Sequence, residues 1–301
     1  MNPEGHTTPF ADRLGALVRA RGSQLCLGLD PDPSALTERG HRVGEALVNE
    51  PPTVRAAAAI TEHCRELIET VGDVCVAIKP QVACFERLGP PGWQALLDVS
   101  ESARAAGLLV VADGKRGDVP VTARAYGQAM FGGTPTPWGS AGGLGADAAT
   151  VNPMLGEDAL EPFVEVAAAH GGGLFALVRT SNPGAGAIQD TGSEPLHRRL
   201  AAMVDRLGDR LPGSGSLTGM GAVVGATAPD RFEQLRALAP RAIFLVPGIG
   251  AQGGLPEDLG PLFGGEPAAA LVPVSRSIAQ APDPLRAAED LRAAVWAVGG
   301  R

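Results

Sequence analysis

Eight short apolar runs punctuate the chain at fairly regular intervals: 24–29, 74–78, 108–112, 148–151, 174–178, 222–225, 242–246 and 269–274. Ala, Val and Leu dominate them, without the alternation of apolar and polar residues that marks a strand wetted on one face. Such runs predict strands covered on both sides. Most are separated by Ala/Leu/Arg/Glu-rich stretches with helical spacing, among them 54–70, 93–106, 195–211 and 231–237. Strands alternating with helices imply a parallel sheet with crossover helices. Eight such units in 301 residues predict a single (β/α)8 TIM-barrel domain spanning 1–301. A doubly wound sheet is the structural alternative. Two connections are long: 31–53, which extends the first strand-to-helix loop, and the Gly/Pro/Ser-rich 132–146, a lid or an ornament.

In a barrel of this kind, the C-terminal ends of the strands carry the chemistry. The residues that close the runs are Asp30, Lys79, Asp113 with Lys115, Asn152, Ser181, Pro247-Gly248-Ile249-Gly250 and Ser275-Arg276. Polar and charged groups are therefore expected to gather on one rim.

Composition narrows the classes of function. A formal net charge of −8 argues against a nucleic-acid polyanion as partner. One small phosphate remains compatible, since it needs only a local cation and backbone N–H donors. Cys26, Cys64, Cys75 and Cys84 form no metal-ligand or redox spacing, and the five histidines are scattered. No metal site is expected. The N-terminal stretch lacks the basic start and apolar core of a signal peptide. No segment reaches the ~18 apolar residues of a membrane span. A cytoplasmic protein is the expectation.

Lysine usage is more informative. Of 25 Lys+Arg, only Lys79 and Lys115 are lysines; the other 23 are arginines. Lysine is the compact ammonium whose pKa can be moved and which can deliver a proton. Both follow buried-strand runs. In VVADGKRGDV (110–119), extended chain would send Asp113 and Lys115 to the same face. Asp118 follows a glycine-containing turn. With Lys79 these residues make a Lys/Asp/Lys/Asp group whose members keep one another ionised. Taken alone, the DxKxxD hexapeptide reads equally well as a structural ion-pair network.

The segments LGLDPDP (27–33), AIKPQVACFE (77–86), DGKRGDV (113–119), ADAATVNPMLG (146–156), LVRTSNPGA (177–185), VPGIGAQGG (246–254) and VSRSI (274–278) occur in the order of one family. From about residue 8 to 295 the chain resembles orotidine 5′-phosphate decarboxylase, in its longer bacterial branch. The resemblance implies a cofactor-independent carboxy-lyase that converts orotidine 5′-phosphate to UMP and CO2 in pyrimidine biosynthesis. It implies a catalytic tetrad of Lys79, Asp113, Lys115 and Asp118, with Asp118 reaching the neighbouring site of a homodimer. It implies ribose contacts from Asp30, Thr122, Lys79 and Asp118, a pyrimidine contact from Ser181, and a phosphate site of Gln252 and Arg276 with Gly248 and Gly250. The small-residue loop 184–192 is a candidate lid. The chain departs from the pattern at Val119-Pro120, where the family often has Ile-Gly, and at Ser275, where many members have Gly. Pro120 suits the first turn of a helix.

Two rival functions are weighed. A sister decarboxylase of sugar-acid phosphates would bind Mg2+ through acids near the end of the second strand, where this chain has Lys79. A non-catalytic nucleotide-sensing barrel would not need an intact tetrad.

Overall fold

The computed structural model describes residues 8–250 and 252–300. Eight strands close into a barrel: β1 (Leu25–Leu29), β2 (Ala77–Pro80), β3 (Leu109–Arg116), β4 (Ala148–Val151), β5 (Gly173–Arg179), β6 (Met220–Val224), β7 (Phe244–Leu245) and β8 (Ala270–Val274). Each pairs in parallel with its sequence neighbours, and β1 pairs with β8 to close the ring. The barrel predicted from the apolar runs is the observed fold, and the doubly wound alternative is set aside.

The strands are buried on both faces, yet their side chains still alternate between two cores. Leu25, Leu27, Leu29, Ile78, Val110, Ala112, Ala149 and Val151 belong to the outer core against the helices. Cys26, Ala77, Leu109, Val111, Ala148 and Phe175 belong to the inner core along the barrel axis. Period-2 geometry then fixes what comes next. Lys79 lies two residues after Ala77, Asp113 two after Val111, and Thr150 two after Ala148, so all three inherit the inner face. The apolar run supplies the floor of the site, and its continuation supplies the polar groups.

The opposite end of the barrel is plugged by the helix Phe10–Arg21. Phe10 packs edge-on against Phe175 with ring centroids 5.9 Å apart. Arg13 forms an ion pair with the buried Asp147, whose other oxygen accepts the Val110 N–H at 2.7 Å.

Two strands differ from their predicted spans. β2 begins three residues later than expected, because Gly72–Val74 continues the preceding helix as a 3-10 turn. β7 has only two residues where five were expected. Arg236 explains one end, since its guanidinium takes the carbonyls of Ala239, Pro240 and Ala242 and stacks 4.3 Å over the Phe244 ring. At the other end Pro247 has no N–H to continue the ladder.

The two long connections are also more structured than predicted. Segment 31–53 contains a helix, Glu38–Ala46, capped by the Thr37 side chain on the Gly40 N–H. Segment 132–146 folds as an exposed two-stranded hairpin, Thr134–Thr136 with Gly139–Ala141. It contributes no residue to the wall of the main cavity. Cys26, Cys64 and Cys75 are buried free thiols and Cys84 is partly buried. Burial pushes the Cys26, Cys64 and Cys75 thiols up, as expected of inert core cysteines. No helix among the described residues is long and apolar enough to cross a membrane.

Candidate active site

A cavity of about 890 Å3 opens at the C-terminal ends of the strands. Asp30, Lys79, Asp113, Lys115, Ser181, Gly248, Gln252 and Arg276 line it. The strand-end rim expected from sequence therefore exists. Gly250, Asp118 and Thr122 do not line the cavity.

At its centre is a chain of alternating charge. Lys79 Nζ lies 4.0 Å from Asp30 Oδ1 and 2.7 Å from Asp113 Oδ2, and Lys115 Nζ lies 2.6 Å from Asp113 Oδ1. The middle is buried and the ends are open: the Lys79 and Asp113 side chains are 9% and 7% exposed, Asp30 and Lys115 37% and 44%. Two further donors reach Asp113, Gln81 Nε2 at 3.2 Å and Thr150 Oγ1 at 2.8 Å. Each carboxylate oxygen thus accepts two hydrogen bonds. Burial alone would raise the Asp113 carboxyl, but Lys79 and Lys115 outweigh it and hold the group well below the ordinary carboxylate range. Burial alone would likewise lower the Lys79 ammonium, but Asp113 and Asp30 outweigh it and raise it. The centre therefore stays charged at neutral pH, with a half-exposed ammonium, Lys115, facing the cavity.

Lys115 reaches this place by a route that simple strand geometry does not predict. The pairing of β3 with β4 shifts register between Ala112 and Arg116. Inside that irregularity Lys115 has φ +47°, and it is the one described non-glycine residue with positive φ. The left-handed region costs an L-residue about 1–2 kcal/mol. Asp113 and Lys115 share the cavity as expected, but a bulge rather than regular i, i+2 extension joins them.

Asp118 stands apart from the other three acids and bases of the expected tetrad. Within its own chain its carboxylate accepts the Val119 N–H at 2.7 Å. Val119 then precedes the helix Pro120–Phe131, with Pro120 in its first turn as expected. Thr122 lies in that helix, half-buried. The departure at Ser275 has a structural counterpart: its hydroxyl donates to Asp30 Oδ2. Gly28 makes room for it, since a Cβ there would lie 2.0 Å from Ser275 Oγ.

On the far side of the cavity, Gly248 and Gly250 take φ of +109° and +74°. The loop they form turns back on itself through Gly250 N–H to Gly254 O and Gly254 N–H to Gly248 O, both 3.0 Å. Arg276 begins a short helix after β8, and its guanidinium makes no ion pair or hydrogen bond with the described residues. A free guanidinium beside a glycine-rich loop after β7 is suited to an anion. The loop 184–192 contains two short helical turns. Arg179 binds Asp190 through Nε and a terminal nitrogen, at 2.9 and 3.0 Å, and Gln189 from this loop lines the cavity.

Gln81 and Thr150 touch Asp113 and were not singled out from sequence. A hydroxyl inside the apolar run 148–151, and a Gln two residues after Lys79, were the available signals. Among the described residues no group of three His, Cys, Asp or Glu side chains could hold a metal ion.

Comparison with known proteins points to one family. Residues 23–291 match the model of the Orotidine 5′-phosphate decarboxylase / HUMPS family. A curated orotidine 5′-phosphate decarboxylase from Rhodopirellula baltica is 41% identical over 278 residues, covering 89% of this chain and 87% of the relative. That from Deinococcus radiodurans is 40% identical over 273 residues, with 90% and 89% covered. A solved structure described as a putative orotidine 5′-phosphate decarboxylase from Streptomyces avermitilis superposes with TM-score 0.80 at 32% identity, covering 100% of this chain and 99% of the other. The Leishmania donovani OMP decarboxylase gives 0.75 at 33%, with 98% and 100% covered. By its barrel, its motifs and these relatives, the chain belongs to the orotidine 5′-phosphate decarboxylase family.

Proposed function

We propose that this chain is a single-domain, cofactor-independent carboxy-lyase that converts orotidine 5′-phosphate to UMP and CO2 in pyrimidine biosynthesis. The observation that carries this is the Asp30–Lys79–Asp113–Lys115 charge chain at the barrel mouth of a member of this family. Loss of CO2 from C6 of the pyrimidine leaves an electron pair with no imine to receive it. Lys115 stabilises the carbanion-like charge at C6 and then protonates it. Asp113, fixed and ionised, lies near the substrate carboxylate and disfavours the ground state more than the transition state. Lys79 holds Asp113 in place and, with Asp30, Thr122 and Asp118, binds the ribose hydroxyls. Ser181 reads the pyrimidine edge. Arg276 and Gln252, with the loop of Gly248 and Gly250, bind the phosphate, and this remote binding energy serves loop closure over the substrate. The sister sugar-acid phosphate decarboxylases are disfavoured because Lys79 stands where a metal-binding acid would be required. A non-catalytic barrel is disfavoured because its cavity would not need a buried, fully satisfied Asp113.

Purified protein treated exhaustively with EDTA is expected to keep its full rate with orotidine 5′-phosphate, followed by the ultraviolet absorbance change. Loss of activity that Mg2+ restores would contradict this function.

The active unit is a homodimer, with Asp118 serving the partner's site. Two observations support it. Asp118 is absent from its own cavity wall. Beside it, Val119 and Val121 are 56% and 86% exposed, and Met154, at the cavity wall, and its neighbour Leu155 are also exposed. Mixing Asp118→Ala with Lys115→Ala protein is expected to restore activity, because half of the sites in a heterodimer would regain both residues. No recovery after verified subunit exchange would overturn the shared site. The protein works in the cytoplasm, in keeping with its free cysteines and the lack of a membrane-spanning helix among its described residues.

A further inference from the structure

We propose that Thr150 is a positioning residue of this site: its single hydroxyl holds Asp113 and Lys115 in their working arrangement. The proposal rests on the decarboxylase function above and assigns the part that sets the geometry of its proton donor.

Thr150 lies on the inner face of β4 and is 2% exposed. Its Oγ1 is 2.9 Å from the Lys115 backbone N and 2.8 Å from Asp113 Oδ1. The direction of both bonds is fixed by chemistry. An amide N–H can only donate, so Oγ1 accepts from Lys115. An ionised carboxylate can only accept, so the hydroxyl proton goes to Asp113. One group therefore ties the backbone of the lysine to the carboxylate that its own side chain binds.

The location makes this tie necessary. The β3–β4 ladder is interrupted between Ala112 and Arg116 and resumes with Arg116 opposite Val151. Within the gap the Lys115 N–H is bonded to the Thr150 hydroxyl rather than to the ladder, and Lys115 is held at φ +47°. A strained backbone persists only where its surroundings over-determine it. Without the hydroxyl, the Lys115 N–H and one bond to Asp113 are lost together. The lysine backbone is then free to relax, which moves Nζ away from C6. The residues proposed to bind phosphate and pyrimidine lie on other loops, so the damage falls on the chemical step.

The test compares Thr150→Val, which keeps the shape and removes the hydroxyl, with Thr150→Ser, which keeps the hydroxyl. Thr150→Val is expected to lose at least about 10-fold in kcat, approaching the roughly 10²-fold that a 1 Å misplacement can cost. Its KM for orotidine 5′-phosphate and its Kd for UMP should stay within about 3-fold of wild type, the pattern of an interaction felt in the transition state. Thr150→Ser should stay within about 3-fold of wild type in kcat. The proposal is overturned if Thr150→Val keeps wild-type kcat, if Thr150→Ser loses as much as Thr150→Val, or if only KM changes. Should Thr150→Val not fold, Thr150→Ala replaces it. If neither hydroxyl-free variant folds while Thr150→Ser does, the hydroxyl supports the barrel rather than the site, and the proposal is equally overturned. If wild-type protein does not turn over orotidine 5′-phosphate, the function fails independently. A crystal structure of the hydroxyl-free variant then decides: Lys115 at negative φ supports the tie, and Lys115 still left-handed refutes it.

Discussion

Lys115→Arg protein is expected to fold and to bind UMP, yet to lose at least about 10²-fold in kcat, the low end for general acid catalysis. The charge is kept, so the Asp113 carboxylate still has two cations beside it. What changes is the ability to give up a proton. A guanidinium with a pKa above about 12 is a poor acid at neutral pH, and its planar fork does not fit the point where an ammonium now sits 2.6 Å from Asp113 Oδ1. Thermal unfolding should shift little, because the Lys115 side chain is 44% exposed. A Lys115→Arg enzyme within a few-fold of wild type would show that charge suffices, and proton donation would then belong to Lys79 or to water.

Asp113→Asn is expected to lower stability as well as turnover. Asp113 is the anion between two ammoniums, one of which, Lys79, is almost wholly buried. Removing its charge leaves Asp30, at 4.0 Å, as the one carboxylate beside Lys79 among the described residues. Breaking a buried pair by deleting one partner costs about 3–5 kcal/mol. The pH dependence has a definite sign. Asp113 has a depressed folded pKa, so its contribution is fully present above the unfolded carboxylate value of about 3.9. It is lost as the pH falls through the folded value. The stability gap between wild type and Asp113→Asn, measured by denaturant unfolding, should therefore be wide at pH 7 and should shrink progressively as the pH falls below about 4 towards the folded value. Equal stability of the two proteins at pH 7 would mean that the ion pairs do not hold the mouth of the barrel together.

Much of this architecture was legible in the chain, and the exceptions have identifiable causes. Apolar runs locate strands because a strand buried on both faces has little use for polar residues. They locate the site because the polar residues that end each run project at the barrel mouth. The same runs mislead where a side chain competes for backbone carbonyls, as Arg236 does beside β7. Asp113 and Lys115 were placed together for a reason that holds only in part. Regular extension puts Asp113 on the axis, but a bulge and a left-handed residue deliver Lys115. Thr150 escaped notice because its value depends on parity across a neighbouring strand, which becomes visible once the barrel is closed. The motif grouped Asp118 with the other three charges, but within one chain it bonds its own helix start instead, and only the family resemblance assigns it to a neighbouring site.

The central claim is that this barrel replaces the C6 carboxylate of orotidine 5′-phosphate with a proton delivered at the Lys115 position. Incubating the purified protein with orotidine 5′-phosphate in D2O, and examining the product by proton NMR and mass, tests it most directly. The account predicts one CO2 released for each UMP formed, with a single deuteron at C6, and this turnover should fall sharply in Lys115→Arg. Recovery of unreacted orotidine 5′-phosphate from folded, UMP-binding protein, or decarboxylation of a sugar-acid phosphate in its place, would contradict it.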